Sequence, residues 1–264
     1  MSRTTRLLPW LVAPLLAVLP ALPAVAAPWD DPTARAAAAA VAPYPGPVAS
    51  GDAVGPQPRL AVYGDSLVGQ TKPALTALAR TRATAIDVWG LSGGAPCDLL
   101  PTYGARVKAF AAERVQLSFV GNATTECMTS RIGGRPPGRL TPALRSRIAQ
   151  LYEADLEALV RWNRAAGIST HLALPPVMAA QTWHGQLTDG LTAALTRVAA
   201  RHPADVQLNA APHDVLTPGG TYRATTVLHG RPARMRHRDG THLLAPVGTS
   251  LNAQSLFWPL ALEG

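Results

Sequence analysis

Short apolar segments alternate with helical segments between residues 60 and 208, and this alternation restricts the fold more than any other feature of the chain. Five segments are predicted to be strands, at 60–63, 85–89, 115–120, 169–174 and 206–208. Strands that alternate with helices are typical of a parallel sheet with helices on both faces. The sequence therefore predicts an α/β domain with three layers, α/β/α, around a parallel five-stranded sheet.

The helices are predicted from apolar spacing and from capping residues. The clearest begins at Pro142, after the capping residue Thr141, and ends before Gly167. Other helices are expected at 68–82, up to about 113, at 188–201 and at 245–262, with a loop-rich segment before residue 241. Ligands of open α/β sheets bind outside the carboxyl ends of the strands, so functional side chains are expected in the loops that follow strands.

Residues 1–26 have the pattern of a secretory signal peptide. Arg3 and Arg6 precede an apolar segment at 7–22, and Ala24-Val25-Ala26 is typical of a cleavage site. An uncleaved membrane anchor is the alternative, although the apolar segment is short for a bilayer span and contains prolines. We therefore expect a secreted or extracytoplasmic protein.

Residues 27–58 are rich in alanine, proline and glycine, with few large apolar side chains. Such a segment buries little surface, so it is interpreted as a flexible linker. Residues 59–264 remain, and a segment of this length is sufficient for one α/β domain with a full core.

The net charge of +8 is of the sign expected for a nucleic-acid-binding protein, but the distribution of the charges is not. No basic segment alternates with aromatic residues, as a stacking surface would require. The densest group is interpreted as a solvated loop and comprises Arg231, Arg234, Arg236 and Arg238. We expect no nucleic-acid partner, and only a loose association with anionic polymers of the cell envelope.

The chain contains two cysteines, Cys97 and Cys127. A secreted chain meets an oxidising compartment, so a disulfide between them is expected. Closing a loop of this length stabilises a fold by about 3–4 kcal/mol in the chain-entropy model. Two cysteines without clustered histidines make a weak metal site. We predict no metal and no other cofactor.

The segment LAVYGDSLVGQ places Ser66 between a predicted strand and a predicted helix. A serine at this point can cap the helix, or it can be a nucleophile if a histidine oriented by a carboxylate removes its proton. Asp239 and His242 lie three residues apart near the C-terminus and can supply both groups. The reaction would also need hydrogen-bond donors for an oxyanion.

Four short blocks, in this order, resemble the SGNH (GDSL) hydrolase superfamily and its secreted bacterial branch. The blocks are G-D-S-L at 64–67, Gly93-Gly94, V-G-N at 120–122 and D-G-T-H at 239–242. Each block alone is weak evidence for the family, since each is also an ordinary cap, turn or loop sequence. Together they imply the flavodoxin-like SGNH hydrolase fold over most of residues 60–264. In this branch the two cysteines follow the second and third blocks, where a disulfide would brace both loops.

The resemblance implies a role for each matched residue. Ser66 becomes the nucleophile, His242 the general base and then the general acid, and Asp239 the residue that orients the imidazole. The N–H groups of Ser66 and Gly93, with the Asn122 side-chain amide, form the oxyanion hole. Gly93 is chosen over Gly94 from spacing alone, so that choice stays open.

The asparagine block departs from the family pattern, which is usually G-x-N-D. Here Gly121 directly precedes Asn122, and Ala123 follows it where an aspartate is common.

The sequence also leads to expectations for two further residues. Asp65 is expected to position the turn through backbone hydrogen bonds, and His184 is expected either to line a substrate pocket or to lie at the surface.

The function predicted from these residues is that of a secreted serine esterase acting on carboxylic esters with short acyl or acetyl groups. Its partner would be a small-molecule or glycan ester. One alternative is an O-acyltransferase that passes the same acyl group to a cell-envelope polysaccharide. The other is a binding module of the cell surface without catalysis. The sequence gives no indication of the oligomeric state.

Overall fold

The structure, a computed structural model, describes residues 58–82 and 84–262. The predicted signal peptide and almost all of the predicted linker lie outside the described residues. Five strands form one parallel sheet: β1 Leu60–Gly64, β2 Ile86–Gly90, β3 Arg114–Ser118, β4 Ser169–Ala173 and β5 Val206–Asn209. Their order is β2-β1-β3-β4-β5, which confirms the predicted parallel five-stranded sheet of the flavodoxin-like type.

Seven α-helices connect or follow these strands within the described residues. They are α1 Ser66–Thr81, α2 Pro96–Phe110, α3 Glu126–Ile132, α4 Pro142–Ala165, α5 Trp183–Arg201, α6 Ala211–Leu216 and α7 Val247–Leu262. The start of α4 is as predicted, because the Thr141 side chain accepts the Leu144 N–H and Pro142 occupies the first turn.

The sheet has helices on both faces, and β1 shows how its side chains divide between them. Leu60 and Val62 point to the face where α1 and α7 pack, in a core cluster that includes Phe257. Ala61 and Tyr63 alternate to the opposite face, where α2, α4 and α5 supply the larger cluster. This three-layer arrangement is the predicted α/β/α architecture.

The order of the strands determines where a site can form. From β1 the chain moves first to one side, to β2, and then to the other side, to β3. The loops after β1 and β3 therefore leave the sheet at a switch point and open a crevice at its carboxyl edge. Ser66 follows β1 and Asn122 follows β3, so both lie at this crevice.

Three regions differ from the predictions. Helix α5 begins at Trp183, five residues before the predicted start, because Thr182 caps it by accepting the Gly185 N–H at 2.9 Å. The long loop after β3 contains α3. The segment predicted as loop-rich contains α6 and an antiparallel hairpin of β6 Thr225–Leu228 and β7 Arg231–Arg234.

Arg236 corrects the interpretation of the arginine group as a solvated loop. Its side chain is fully buried, whereas Arg231, Arg234 and Arg238 are exposed. The Arg236 Nη1 atom donates a hydrogen bond to the Thr241 carbonyl oxygen at 3.0 Å. Burial lowers the pKa of Arg236 to about 10, which still leaves the guanidinium charged at neutral pH. This arginine is therefore a structural support of the D-G-T-H block.

Within the described ranges, no helix combines the length and the apolar character that crossing a bilayer requires.

Candidate active site

Ser66 lies at the start of α1, directly after β1. A side chain at Gly64 would overlap the Ser118 carbonyl oxygen of β3, so the close approach of the two strands requires glycine. Asp65 is the N-cap of α1, and its Oδ1 accepts the Leu67 N–H at 3.0 Å. The glycine and the cap turn the chain sharply and leave Ser66 half-buried at the rim of the sheet.

Asp65 also joins this turn to the loop after β3. Its carboxylate is fully buried, and Oδ2 accepts the Val120 N–H at 2.7 Å. Burial raises the pKa of Asp65 to about 6, although the Leu67 and Val120 N–H groups act to lower it. The prediction that Asp65 positions the turn through backbone hydrogen bonds is confirmed.

The His242 ring bridges Ser66 and Asp239. Its Nε2 lies 3.1 Å from Ser66 Oγ, across 176 positions of the sequence. Its Nδ1 lies 2.7 Å from Asp239 Oδ2. A carboxylate can only accept, so the proton of a neutral ring sits on Nδ1, and Nε2 faces the serine hydroxyl as an acceptor. The three residues predicted to be catalytic are thus brought together.

Asp239 is stabilised as an ion by its own turn. Burial alone would raise its pKa, but the Thr241 N–H, the His242 ring and the His242 N–H hold the pKa of Asp239 well below its usual range. Both N–H groups lie 2.9 Å from Oδ1. The His237 Nδ1 atom lies 3.3 Å from Oδ2, a second imidazole for which the sequence offered no partner.

Two contacts hold the turn of the D-G-T-H block against the rest of the fold. Gly240 has a φ of +76°, and a side chain there would overlap Ala179, whose N–H donates to the Gly240 carbonyl oxygen at 3.0 Å. The Leu243 N–H donates to Gln70 Oε1 at 3.2 Å. Since Gln70 belongs to α1, the helix that begins at the serine also anchors the turn that carries the histidine.

The glycine block forms a tight turn after β2. The Gly94 N–H donates to the Leu91 carbonyl oxygen at 3.0 Å, and Gly93 has a φ of +69°, which favours glycine at this point. The Leu91 N–H donates to the Gly64 carbonyl oxygen at 2.9 Å and ties the turn to the serine block. Because the Gly94 N–H already has an acceptor, Gly93 is the better candidate for an oxyanion donor.

The Asn122 side chain is almost fully buried and hydrogen-bonded on both sides of its amide. Its Nδ2 lies 3.0 Å from the Gly94 carbonyl oxygen and 3.3 Å from Asp65 Oδ2. Its Oδ1 faces His184 Nε2 at 2.9 Å. Both amide hydrogens therefore have acceptors, and donation to an oxyanion would be shared with the longer, weaker contact to Asp65.

The departure from the family pattern around Asn122 does not leave this loop unsupported. Gly121 has a φ of +102°, so its backbone requires glycine. The buried Tyr152 hydroxyl donates to the Asn122 carbonyl oxygen at 2.7 Å. Ala123 is buried as well, at 1% exposure. These contacts fix the backbone at the end of β3 without the usual aspartate.

His184 lies in the first turn of α5 and contacts the site, which excludes the interpretation as a surface residue. Its Nδ1 lies 3.1 Å from Thr241 Oγ1, opposite the contact of its Nε2 with Asn122. Burial, with a smaller contribution from the charge of His242, lowers the pKa of His184 to about 4. The helix cap at Thr182 was the sequence signal that could have placed His184 at this rim.

Cys97 and Cys127 form a disulfide between the start of α2 and α3, with their Cα atoms 6.2 Å apart. Cys97 follows the glycine block and Cys127 follows the asparagine block, so the bond links the two loops beside Ser66. Met128, next to Cys127, is buried in the larger core cluster, which also contains Cys97.

Removal of both sulfur atoms, in a Cys97→Ser/Cys127→Ser variant, is expected to lower the free energy of unfolding by about 3 kcal/mol, because the unfolded chain regains the entropy of an open loop. For a domain of this size the melting temperature would fall by roughly 6–12 °C. Calorimetry of the oxidised wild type and of the variant measures the difference. Two free thiols in the native, non-reduced wild type, detected by alkylation and mass measurement, would refute the disulfide.

One group of potential metal ligands lies within the described residues. The sulfur atoms of Cys97 and Cys127 and a carboxylate oxygen of Asp98 lie within 4.8 Å of one another. The sulfurs share the disulfide and are therefore not thiolates, the form in which cysteine binds metals. The Asp98 carboxylate accepts the Ala95 N–H at 2.8 Å and caps α2. These residues do not fit a metal centre while the disulfide is intact.

Comparison with known proteins gives matches by structure only. No protein-family model and no curated protein matches the chain. A mutant acetyl-xylooligosaccharide esterase from Geobacillus matches with a TM-score of 0.54 and 14% identity, over 80% of this chain and 97% of that one. A candidate SGNH hydrolase from Slackia heliotrinireducens matches with a TM-score of 0.52 and 15% identity, over 77% and 98%. The chain has the SGNH hydrolase fold.

An acetyl xylan esterase matches as well, with a TM-score of 0.52 and 14% identity, over 76% of this chain and 99% of that one. The match agrees with the fold that the four sequence blocks implied. At these identities the likeness concerns the SGNH hydrolase fold alone, so the roles of individual residues depend on the geometry of this site.

Proposed function

We propose that the protein is a serine esterase that hydrolyses carboxylic esters with short acyl groups through an acyl-enzyme on Ser66. One observation carries the proposal. Ser66 Oγ, the two ring nitrogens of His242 and Asp239 Oδ2 form an unbroken chain of contacts of 3.1 and 2.7 Å at the carboxyl edge of the sheet. A hydroxyl, an imidazole and a carboxylate in this order are the groups that acyl transfer requires.

The reaction would proceed in two halves. Ser66 Oγ attacks the ester carbonyl carbon while His242 Nε2 takes the hydroxyl proton, and a tetrahedral oxyanion forms. The carbon–oxygen bond to the alcohol breaks, and His242 returns the proton to the leaving oxygen. Water then attacks the acyl-enzyme with His242 again as the base. The collapse of this second oxyanion releases the acid and restores the serine hydroxyl.

The oxyanion would be stabilised by three donors, namely the N–H groups of Ser66 and Gly93 and the Asn122 amide. The engaged Gly94 N–H supports Gly93 over its neighbour. The Asn122 Nδ2 atom faces Asp65 at 3.3 Å, so the hydrogen on that side has the weaker acceptor in the free enzyme. Donation from this hydrogen would be shared between Asp65 and the oxyanion.

An acetyl group on a glycan is the substrate that we favour. Two proteins with the same fold are described as esterases of acetyl-xylooligosaccharide and acetyl xylan. A cavity of about 530 Å³ is lined by Ala180 and Gln181, which follow the Ala179 that contacts Gly240, although none of the three proposed catalytic residues lines it. Arg139 and Arg145 also line it, so its wall offers donors to sugar oxygens.

Secretion and a loose association with the cell envelope belong to the same proposal, on the basis of residues 1–26 and the net charge of +8.

The same triad supports a second function, in which a sugar hydroxyl replaces water in the second half-reaction and the protein is an O-acyltransferase. Both functions use the same acyl-enzyme, so product analysis with and without an oligosaccharide acceptor separates them. We expect free acetate in both experiments for the esterase. Acetate that is transferred to the acceptor would establish the transferase.

A fluorophosphonate probe tests the proposal of a serine hydrolase. We expect one covalent adduct per chain, which peptide mapping places on Ser66, and loss of 4-nitrophenyl acetate hydrolysis in proportion to labelling. Denatured protein is the control for non-specific reaction. Absence of an adduct, or an adduct elsewhere with activity retained, would contradict the enzyme and leave the cell-surface binding module as the function.

A further inference from the structure

His184 connects two blocks of the site that come from distant parts of the chain. Its Nε2 lies 2.9 Å from Asn122 Oδ1, on the loop after β3. Its Nδ1 lies 3.1 Å from Thr241 Oγ1, in the turn between Asp239 and His242. One ring therefore contacts both an oxyanion-donor candidate and the turn that carries the base.

The two partners determine how the ring is protonated. An amide oxygen can only accept, so His184 Nε2 carries a hydrogen and donates it to Asn122. In the neutral ring Nδ1 then has a free lone pair, which accepts the hydroxyl hydrogen of Thr241. A pKa of about 4 keeps His184 neutral at pH 7, in agreement with this arrangement.

The contact with His184 stabilises the orientation of the Asn122 amide that its acceptors, the Gly94 carbonyl oxygen and Asp65 Oδ2, also favour. The oxygen and nitrogen of an amide have similar shapes, and only hydrogen bonds distinguish their positions. Donation by His184 holds Oδ1 toward α5 and leaves Nδ2 toward Asp65 and Gly94, the side of the serine turn. A reversed amide would direct two donors at each other and would aim an oxygen at the developing oxyanion.

His184 itself is held rigidly. Thr182 caps the helix at the neighbouring Gly185 N–H, and a side chain at Gly185 would overlap the Ala179 carbonyl oxygen. The hydroxyl of Thr188, one turn later, donates to the His184 carbonyl oxygen at 3.0 Å. The ring therefore projects from a fixed backbone into the space between Asn122 and Thr241.

We infer that His184 is a positioning residue: its ring orients the Asn122 amide for the oxyanion and at the same time holds Thr241, so that the oxyanion donor and the base keep a fixed relative position. This inference rests on the proposed ester hydrolysis. His184 acts through Asn122 and Thr241 and does not take the proton of Ser66, which His242 receives.

The test compares two variants of His184. In His184→Phe the ring shape is kept and both nitrogens are lost, so kcat for 4-nitrophenyl acetate is expected to fall roughly 10- to 100-fold with KM changed less than about three-fold. That loss is smaller than the 10²–10³ typical of a deleted oxyanion donor. In His184→Gln an amide nitrogen can again donate to Asn122, and kcat is expected to return to within about five-fold of the wild type.

A double-mutant cycle shows whether the effect passes through Asn122. In an Asn122→Ala background there is no amide to orient, so His184→Phe is expected to lower kcat by clearly less than it does in the wild-type background, and only through the lost contact with Thr241. A full additional loss in that background would overturn the inference. A wild-type kcat in His184→Phe would also overturn the inference. If Ser66→Ala is inactive in the same assay, the proposed function stays intact.

Melting temperatures separate positioning from folding. If His184→Phe does not fold, His184→Asn replaces it, because its shorter polar side chain falls short of Asn122, and the same loss of kcat is expected. Full activity in a folded His184→Asn would also overturn the inference. If the wild type shows no esterase activity that depends on Ser66, the proposed function has failed.

Discussion

Ser66→Ala is expected to lower kcat for a short acyl ester by at least about 10⁴-fold, because it removes the hydroxyl that lies 3.1 Å from His242 Nε2 and attacks the ester. The oxyanion donors and the binding of the ester remain, so a small residual rate above that of water should persist. KM should change little, since a missing hydroxyl removes few contacts with the ground-state ester. Steady-state kinetics with 4-nitrophenyl acetate, on protein of matched concentration, measure both constants.

The variant should fold normally. Asp65, not Ser66, caps α1 through its side chain, so the helix keeps its first turn when the hydroxyl is removed. Ser146→Ala is the matched control, because it makes the same chemical change at an exposed position of α4. Equal rates for Ser66→Ala and the wild type would show that the esterase activity comes from another residue or from a contaminant.

Much of the fold could be predicted because its signals are local. Each strand of the sheet is a short apolar segment, and capping residues such as Thr141 mark the ends of helices. The functional blocks were recognisable from their resemblance to the SGNH hydrolases, and the structure shows that Gly64 and Gly240 occur where close packing excludes a side chain. Such positions are restricted by the backbone itself, so the residue type indicates the geometry.

The missed elements depend on contacts that are distant in sequence. The hairpin at β6 and β7 contains Pro232 and two arginines, and it lacks the alternating apolar pattern of a half-buried strand. Arg236 belongs to a basic segment that favours solvent, and only the Thr241 carbonyl oxygen and the surrounding core explain its burial. No local pattern predicts either outcome.

The site, like the fold, contains features that the sequence predicted and others that it did not. Ser66, Asp239 and His242 were identified from short blocks, but the sequence did not show what holds them in position. The contact of Gln70 with the turn at Leu243 spans 173 positions, and that of His184 with Thr241 spans 57. Such contacts depend on how α1 and α5 pack, and a single sequence does not report packing.

Asp239→Asn is expected to lower kcat by roughly 10³- to 10⁴-fold, the loss that a wrong histidine tautomer causes in Ser-His-Asp proteases. The geometry of the turn gives the reason. The N–H groups of Thr241 and His242 both donate to Asp239 Oδ1 at 2.9 Å. They would hold the single oxygen of the asparagine in that position.

The asparagine nitrogen would then face His242 Nδ1, in the place of the oxygen that now lies 2.7 Å away. Because an amide nitrogen only donates, Nδ1 would become the acceptor and the ring proton would move to Nε2. A ring protonated at Nε2 cannot take the proton of Ser66. The substitution therefore enforces the wrong tautomer through two backbone N–H groups rather than merely removing a charge.

Comparison with Asp239→Ala distinguishes the effect of the His242 tautomer on kcat from the effect of the turn's hydrogen bonds on stability. The asparagine keeps the acceptor for both N–H groups, so its melting temperature should stay close to that of the wild type, whereas alanine loses that acceptor and should melt earlier. Both should have low kcat. Asp189→Asn, the same change at an exposed position of α5, is the control for lost charge. If Asp239→Asn keeps more than about a tenth of the wild-type kcat, the His242 tautomer does not depend on Asp239, and the proposed triad is wrong at its third member.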